Sequence, residues 1–130
     1  MTQYLEMLKG KLHHARVVDG NREYPGSIGI SRELARAADF LEYEKVLVAN
    51  VENGERFETY VILLETPGSI VLNGAAAHLG KPGDRLIIMA FVQMETFEAR
   101  THEPKVAVLD AGNHIIETGI TAQEPAELRR

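Results

Sequence analysis

A chain of 130 residues, 45% of them hydrophobic, carries enough apolar material for one domain, which at this size buries roughly two thirds of its unfolded surface in a single core. With no cysteine there are no disulfides, thiolate nucleophiles or zinc ribbons, which fits a reducing cytoplasm. Fourteen Lys and Arg against nineteen Asp and Glu give a net charge of −5, and the basic residues are scattered apart from Lys9/Lys11 and Arg129-Arg130, so no stripe tracks phosphates and no nucleic-acid partner is expected. The opening Met1-Thr2-Gln3-Tyr4-Leu5-Glu6 lacks the basic start and apolar run of a signal peptide, and no apolar stretch approaches the ~20 residues that span a bilayer. A cytoplasmic protein with no membrane partner is the expectation.

Residues 11–18 are rich in β-branched and apolar side chains and predict a strand, closed by the turn residues Asp19-Gly20-Asn21. A side-chain period of two then sends His13 and His14 to opposite faces, where they cannot share a metal; the five histidines show no other ligand spacing, and no metal is expected. Tyr24-Pro25-Gly26-Ser27 follows. A Gly-Ser dipeptide by itself usually means a turn, but Gly26 has no Cβ and can take up a strained conformation that opens its carbonyl to the Ser27 hydroxyl.

Ile28-Gly29-Ile30 predicts a short strand, and Ser31 caps a packing helix with apolar positions Leu34, Ala38 and Leu41 and with Glu33 at its positive end. Residues 46–51 form an apolar strand ended by Asn53-Gly54, a strong hairpin signal, and residues 56–64 return antiparallel, carrying Arg56, Thr59 and Tyr60. Thr66-Pro67-Gly68-Ser69 turns into the strand Ile70-Val71-Leu72. Asn73 then leads into Gly74-Ala75-Ala76-Ala77, which reads equally as a segment of close backbone approach or as the first turn of a short helix. Lys81-Pro82-Gly83-Asp84 punctuates before the longest apolar strand, residues 85–94; residues 106–109 and Ile115-Ile116 add two more around the turn Ala111-Gly112-Asn113. From Thr118 onward no apolar period survives, so residues 1–117 are expected to be the domain and 118–130 a polar, frayed tail. Many short strands with one or two short helices argue a mainly β, closed or nearly closed barrel.

Met7-Leu8-Lys9-Gly10-Lys11-Leu12-His13, Tyr24-Pro25-Gly26-Ser27, residues 53–60 and Asn73-Gly74-Ala75-Ala76-Ala77-His78 with Pro82-Gly83-Asp84 stand in an order and at spacings that closely resemble the pyruvoyl-dependent aspartate decarboxylase family, over about residues 7–117. The resemblance implies a double-psi β-barrel, a homotetramer with active sites between neighbouring subunits, and decarboxylation of L-aspartate to β-alanine for pantothenate synthesis. It implies self-cleavage between Gly26 and Ser27 into residues 1–26 and 27–130, with which a separate maturation factor is compatible. Decarboxylating an amino acid leaves a carbanion that needs an electron sink; pyridoxal phosphate is the usual one, but its phosphate cradle and lysine need a larger chain, so no PLP is expected. Here the sink is a pyruvoyl made from Ser27, which holds the substrate amine as a Schiff base.

By the same resemblance Arg56 grips a substrate carboxylate with its planar fork, Tyr60 returns a proton to the carbanion, and Thr59 touches substrate. Gly74, Ala75 and Ala76 line the pocket, Lys11 is a second cation for the substrate, and His13, Tyr24 and Asn73 are polar neighbours; His78 has no catalytic role. Without the resemblance Arg56 reads as a solvated charge and Tyr60 as packing. The family usually has Asp-Leu-x-Tyr-x-Gly-Ser at the cleavage point where this chain has Arg22 and Pro25, and Ala49 stands where several members carry an aromatic. The rival readings are an uncleaved, non-catalytic barrel acting as a binding module and a sister decarboxylase of another amino acid.

Overall fold

The computed structural model describes residues 2–119. Among these residues nine strands form one sheet: β1 (Tyr4–Arg16), β2 (Asp19–Asn21), β3 (Ser27–Ser31), β4 (Lys45–Asn50), β5 (Arg56–Leu64), β6 (Ile70–Asn73), β7 (Arg85–Glu95), β8 (Lys105–Leu109) and β9 (Ile115–Thr118). Between them lie α1 (Arg32–Ala37), a 3-10 helix (Gly74–His78) and α2 (Thr96–Ala99). The expected polar tail begins at Thr118, the last residue of β9, and its residues 120–130 lie outside the described residues.

The strand order is β2-β6-β3-β5-β4-β7-β1-β8-β9, so β1 and β2, adjacent in sequence, sit six strands apart in the sheet. Laid flat, six spacings would separate them by about 29 Å. Only Val17 and Val18 join them, and a link from Arg16 to Asp19 spans at most about 11 Å. The sheet must therefore roll up. Val17 N–H donates to Asp84 O at 2.9 Å and Val18 N–H to Ile70 O at 2.8 Å as the chain crosses over. Pairings are mixed: β3–β5, β2–β6 and β1–β8 are parallel, the rest antiparallel. This is the mainly β architecture expected, and it agrees with a double-psi β-barrel.

Inside the roll lie Leu12, Ile28, Ile30, Val46, Val48, Val61, Ile70, Leu72, Leu86 and Ile88, all with essentially no exposed surface. Alternation sets this: on β7, Leu86, Ile88 and Ala90 are buried while Arg85, Ile87, Met89 and Phe91 look the other way.

Several local expectations change, and one open alternative is resolved. Asp19-Gly20-Asn21 is not a turn but β2, because each residue pairs in parallel with one of Val71, Leu72 and Asn73. The helix after Ser31 does not reach Leu41, which is largely exposed. It stops at Ala37, where Asp39 takes a left-handed φ of 60° and the N–H groups of Asp39 and Phe40 donate to Arg36 O and Ala35 O, the Schellman pattern, with Phe40 buried behind it. Ser31 makes no side-chain cap to the backbone; its hydroxyl donates to Glu33 Oε1 at 3.0 Å. Finally, the run after Asn73 resolves into the 3-10 helix, with Gly74 at φ +63°.

His13 and His14 depart from simple alternation. A register shift between His13 and Ala15 and a φ of +66° at His14 mark a bulge, and the two rings stack at 3.9 Å instead of pointing to opposite faces.

Candidate active site

Ser27 opens β3 and is only 3% exposed, although Tyr24, Pro25 and Gly26 before it are exposed. It pairs across the sheet with Asn73, the last residue of β6, whose Nδ2 donates to Ser27 Oγ at 3.0 Å. The Asn73 Oδ1 is buried and has no partner, so the amide still has one acceptor to offer.

Gly74 explains how the loop before Ser27 is held. A Cβ at Gly74 would lie 2.6 Å from Gly26 Cα, 2.7 Å from Gly26 N and 2.9 Å from Tyr24 O, and the residue already has a left-handed φ of +63°. Gly26 itself does not have a left-handed φ, and a Cβ there would meet nothing within 4 Å. The residue that has to be glycine is the one packed against the junction. Of its neighbours, Ala75 is exposed and Ala76 is buried in the core.

Ile28 pairs in parallel with Val61, so one residue earlier on each strand Ser27 and Tyr60 stand at the same level of β3 and β5. The row continues from Asn21 through Asn73 and Ser27 to Tyr60 and Lys45. Tyr60 is 36% exposed and its ring lies 6.4 Å from that of Tyr43. Nothing in the sequence singled out Tyr43, since an aromatic in a connection has no period to betray it.

Arg56 lies four residues from Tyr60 on the same face of β5, a separation of about 13 Å at strand rise. It is exposed and has no acidic partner among the described residues. Thr59 is on the opposite, core-side face of β5, half-buried and paired with Val46. A second row runs His13, Ile87, Ala49, Arg56, and a third Lys11, Met89, Leu47, Glu58. Lys11, His13 and Arg56 thus share one half-exposed face of the sheet, apart from Ser27. Burial, then the charges of His14, Lys11 and Arg85, push the His13 imidazole down to about 4, and burial also lowers the Lys11 ammonium. His13 is a neutral ring near pH 7, and its Nδ1 is buried without a partner.

A cleft of about 320 Å³ lined by Arg22, Glu52, His78, Lys81 and Asp84 reaches the approach to the junction but not Ser27 itself. Among the described residues no group of His, Asp and Glu could hold a metal, and no helix is long and apolar enough to cross a membrane.

Fold and site together define a small β-barrel protein built around one buried serine, held beneath an asparagine amide immediately after an exposed glycine. The model of the aspartate decarboxylase family matches residues 3–116. An aspartate 1-decarboxylase of Shouchella clausii is 51% identical over 128 residues, covering 98% of this chain and 99% of the relative. That of Caldicellulosiruptor saccharolyticus is 51% identical over 113 residues, 86% of this chain and 88% of its own, and that of Campylobacter jejuni 47% over 109 residues, 84% and 86%. The chain belongs to the aspartate decarboxylase family.

Proposed function

We propose that this chain decarboxylates L-aspartate to β-alanine and carbon dioxide, feeding pantothenate and coenzyme A synthesis in the cytoplasm, with a pyruvoyl group made from its own Ser27. The match over 98% of the chain to a protein named aspartate 1-decarboxylase carries this reading. The junction supports the self-processing step. Ser27 Oγ attacks the Gly26 carbonyl carbon and turns the peptide into an ester; elimination frees the Gly26 carboxylate, and hydrolysis of the remaining dehydroalanine releases ammonia and leaves the pyruvoyl. The Asn73 Nδ2–H, already on Ser27 Oγ, is placed to steady the charge that this oxygen takes up when elimination carries it off with the Gly26 carboxylate.

The residues around Ser27 suit a pyruvoyl: the Asn73 Nδ2–H is a donor for its carbonyl oxygens, and Gly74, without a side chain, lets the Tyr24–Gly26 main chain lie close against the site. That group supplies an electron sink conjugated to the substrate amine when carbon dioxide leaves. Tyr60, level with Ser27 on the next strand, delivers the proton to the α-carbon. Arg56, unpaired and exposed, takes the carboxylate that stays, and Lys11 adds a second positive charge.

Within one copy, about 13 Å of β5 separates Arg56 from the level of Ser27, more than one aspartate bridges. The face bearing Lys11, His13 and Arg56 also carries Ile87, Met89, Leu47 and the exposed Phe91, an apolar surface suited to a second copy. We infer a homotetramer in which Ser27, Asn73 and Tyr60 of one subunit meet Lys11, His13 and Arg56 of a neighbour.

Intact mass tests the self-processing: the purified protein, with or without a maturation partner, should separate into residues 1–26 and a 27–130 piece lighter by one ammonia than hydrolysis would give. Ser27→Ala should stay whole. β-Alanine formation, assayed beside glutamate as a rival substrate, tests the reaction; a protein that stays whole after prolonged warming and makes no β-alanine would be the non-catalytic barrel.

A further inference from the structure

We propose that Tyr43 is a positioning residue for Tyr60, a role that rests on reading Tyr60 as the proton donor. Tyr43 sits in the connection between α1 and β4 with φ +71°, in the left-handed region, where a bulky side chain is a true outlier and Asn or Gly is at ease. Its neighbours enforce that conformation. Tyr43 N–H donates to Val61 O at 2.7 Å and Val61 N–H to Glu44 O at 3.0 Å, so residues 43 and 44 are laced to β5 immediately after Tyr60. Glu42 Oε2 accepts from Leu63 N–H at 3.0 Å, and Glu44 Oε1 accepts from Leu41 N–H at 2.9 Å and from Lys9 Nζ at 2.8 Å.

Burial does not offset the strain, because Tyr43 remains 72% exposed. What the ring does meet is Tyr60, at 6.4 Å between centroids and 41° between planes, within the range of a tilted aromatic pair. A strained backbone laced to the strand thus presents a ring that pairs with the donor itself. On an exposed strand face Tyr60 could otherwise turn about χ1; a ring set beside it by that backbone removes part of that freedom and favours the hydroxyl position from which a proton must be delivered.

Thermal melts, cleavage and steady-state kinetics of Tyr43→Asn, Tyr43→Phe, Tyr60→Phe and the Tyr43→Asn/Tyr60→Phe double variant test this. Tyr43→Asn should melt at the same or a higher temperature, cleave normally and lose about 2- to 10-fold in kcat, the worth of one aromatic pair, with KM within about 2-fold. Tyr43→Phe should restore kcat, and Tyr43→Asn should cost nothing further once Tyr60 is Phe. Native kcat in Tyr43→Asn, or an equal loss in the Tyr60→Phe background, overturns the proposal. If Tyr60→Phe is crippled while Tyr43→Asn is normal, the positioning role alone falls; if Tyr60→Phe turns over at the native rate, the donor reading falls and takes this one with it.

Discussion

Replacing Gly74 by Ala should damage the protein far more than replacing Gly26, although Gly26 is the residue at the proposed scissile bond. At Gly74 a new Cβ would stand 2.6 Å from Gly26 Cα and 2.9 Å from Tyr24 O, and both contacts are main chain that no side-chain rotation can relieve. The left-handed φ of +63° adds a conformational term of about 1–2 kcal/mol for an L-residue, and forcing the loop aside adds about 1–3 kcal/mol, or about 2–5 kcal/mol together. For a chain of this size that is a fall in Tm of roughly 6–25 °C. At Gly26 a Cβ meets nothing within 4 Å, so Gly26→Ala should stay within about 0.5 kcal/mol. Both variants are compared by thermal melting in a Ser27→Ala background, so that cleavage does not enter, and Gly74→Ala is then followed in the native background by intact mass for slowed cleavage. Equal melting temperatures for the two glycine variants would refute the claim that Gly74 is the residue packed against the junction.

Arg56→Ala should leave cleavage intact and cut kcat/KM for aspartate by tens to thousands of times, a loss of about 2–5 kcal/mol for a buried charge-assisted pair; near-native kinetics would make Arg56 a solvated charge. Tyr60→Phe keeps the ring and should fold and cleave, but lose about 10²- to 10⁴-fold in kcat, read on fully cleaved protein. His13 has a folded-state value of about 4, below its ordinary 6.5, so the folded protein resists a proton that the unfolded chain accepts. Its contribution to stability is complete above 6.5 and is lost as pH falls from there toward 4. Tm measured across that window should fall in the native protein and fall less in His13→Gln; His14, lowered in the same direction, retains part of the slope.

The strands were legible because their periods are strong: β4, β5 and β7 alternate or run apolar between clear turns, and Asn53-Gly54 punctuates as expected, with Gly54 at φ +77°. The motif also marked Ser27, Asn73 and Gly74 as one neighbourhood. What local pattern could not show is pairing at long range. Asp19-Gly20-Asn21 has turn composition and becomes a strand only because β6 is beside it. His13 and His14 stack because one bulge shifts the register, and a bulge leaves no mark in composition. Gly26 and Gly74 are equally bare in the sequence; only the packed loop tells which of them must be glycine. Tyr43 was invisible for a related reason, since its φ is set by hydrogen bonds to β5 and not by its own preference.

The place of β1 in the sheet bears on the order of events in the life of the molecule. It is an interior strand, flanked by β7 over eleven residue pairs and by β8 over four, and its chain carries on into β2 against β6. A cut after Gly26 therefore frees no piece; it turns one chain into two that remain laced together, with the smaller threaded through the middle of the larger. Chains separated before folding would have to find each other in dilute solution, whereas an intact chain closes the same pairs within itself. On the proposed self-processing, folding must come first and the cut second. A molecule cut in that way and then unfolded would have lost the connection that assembled it, so its native state would be kept by the slowness of unfolding, a memory of a covalent bond that is no longer there.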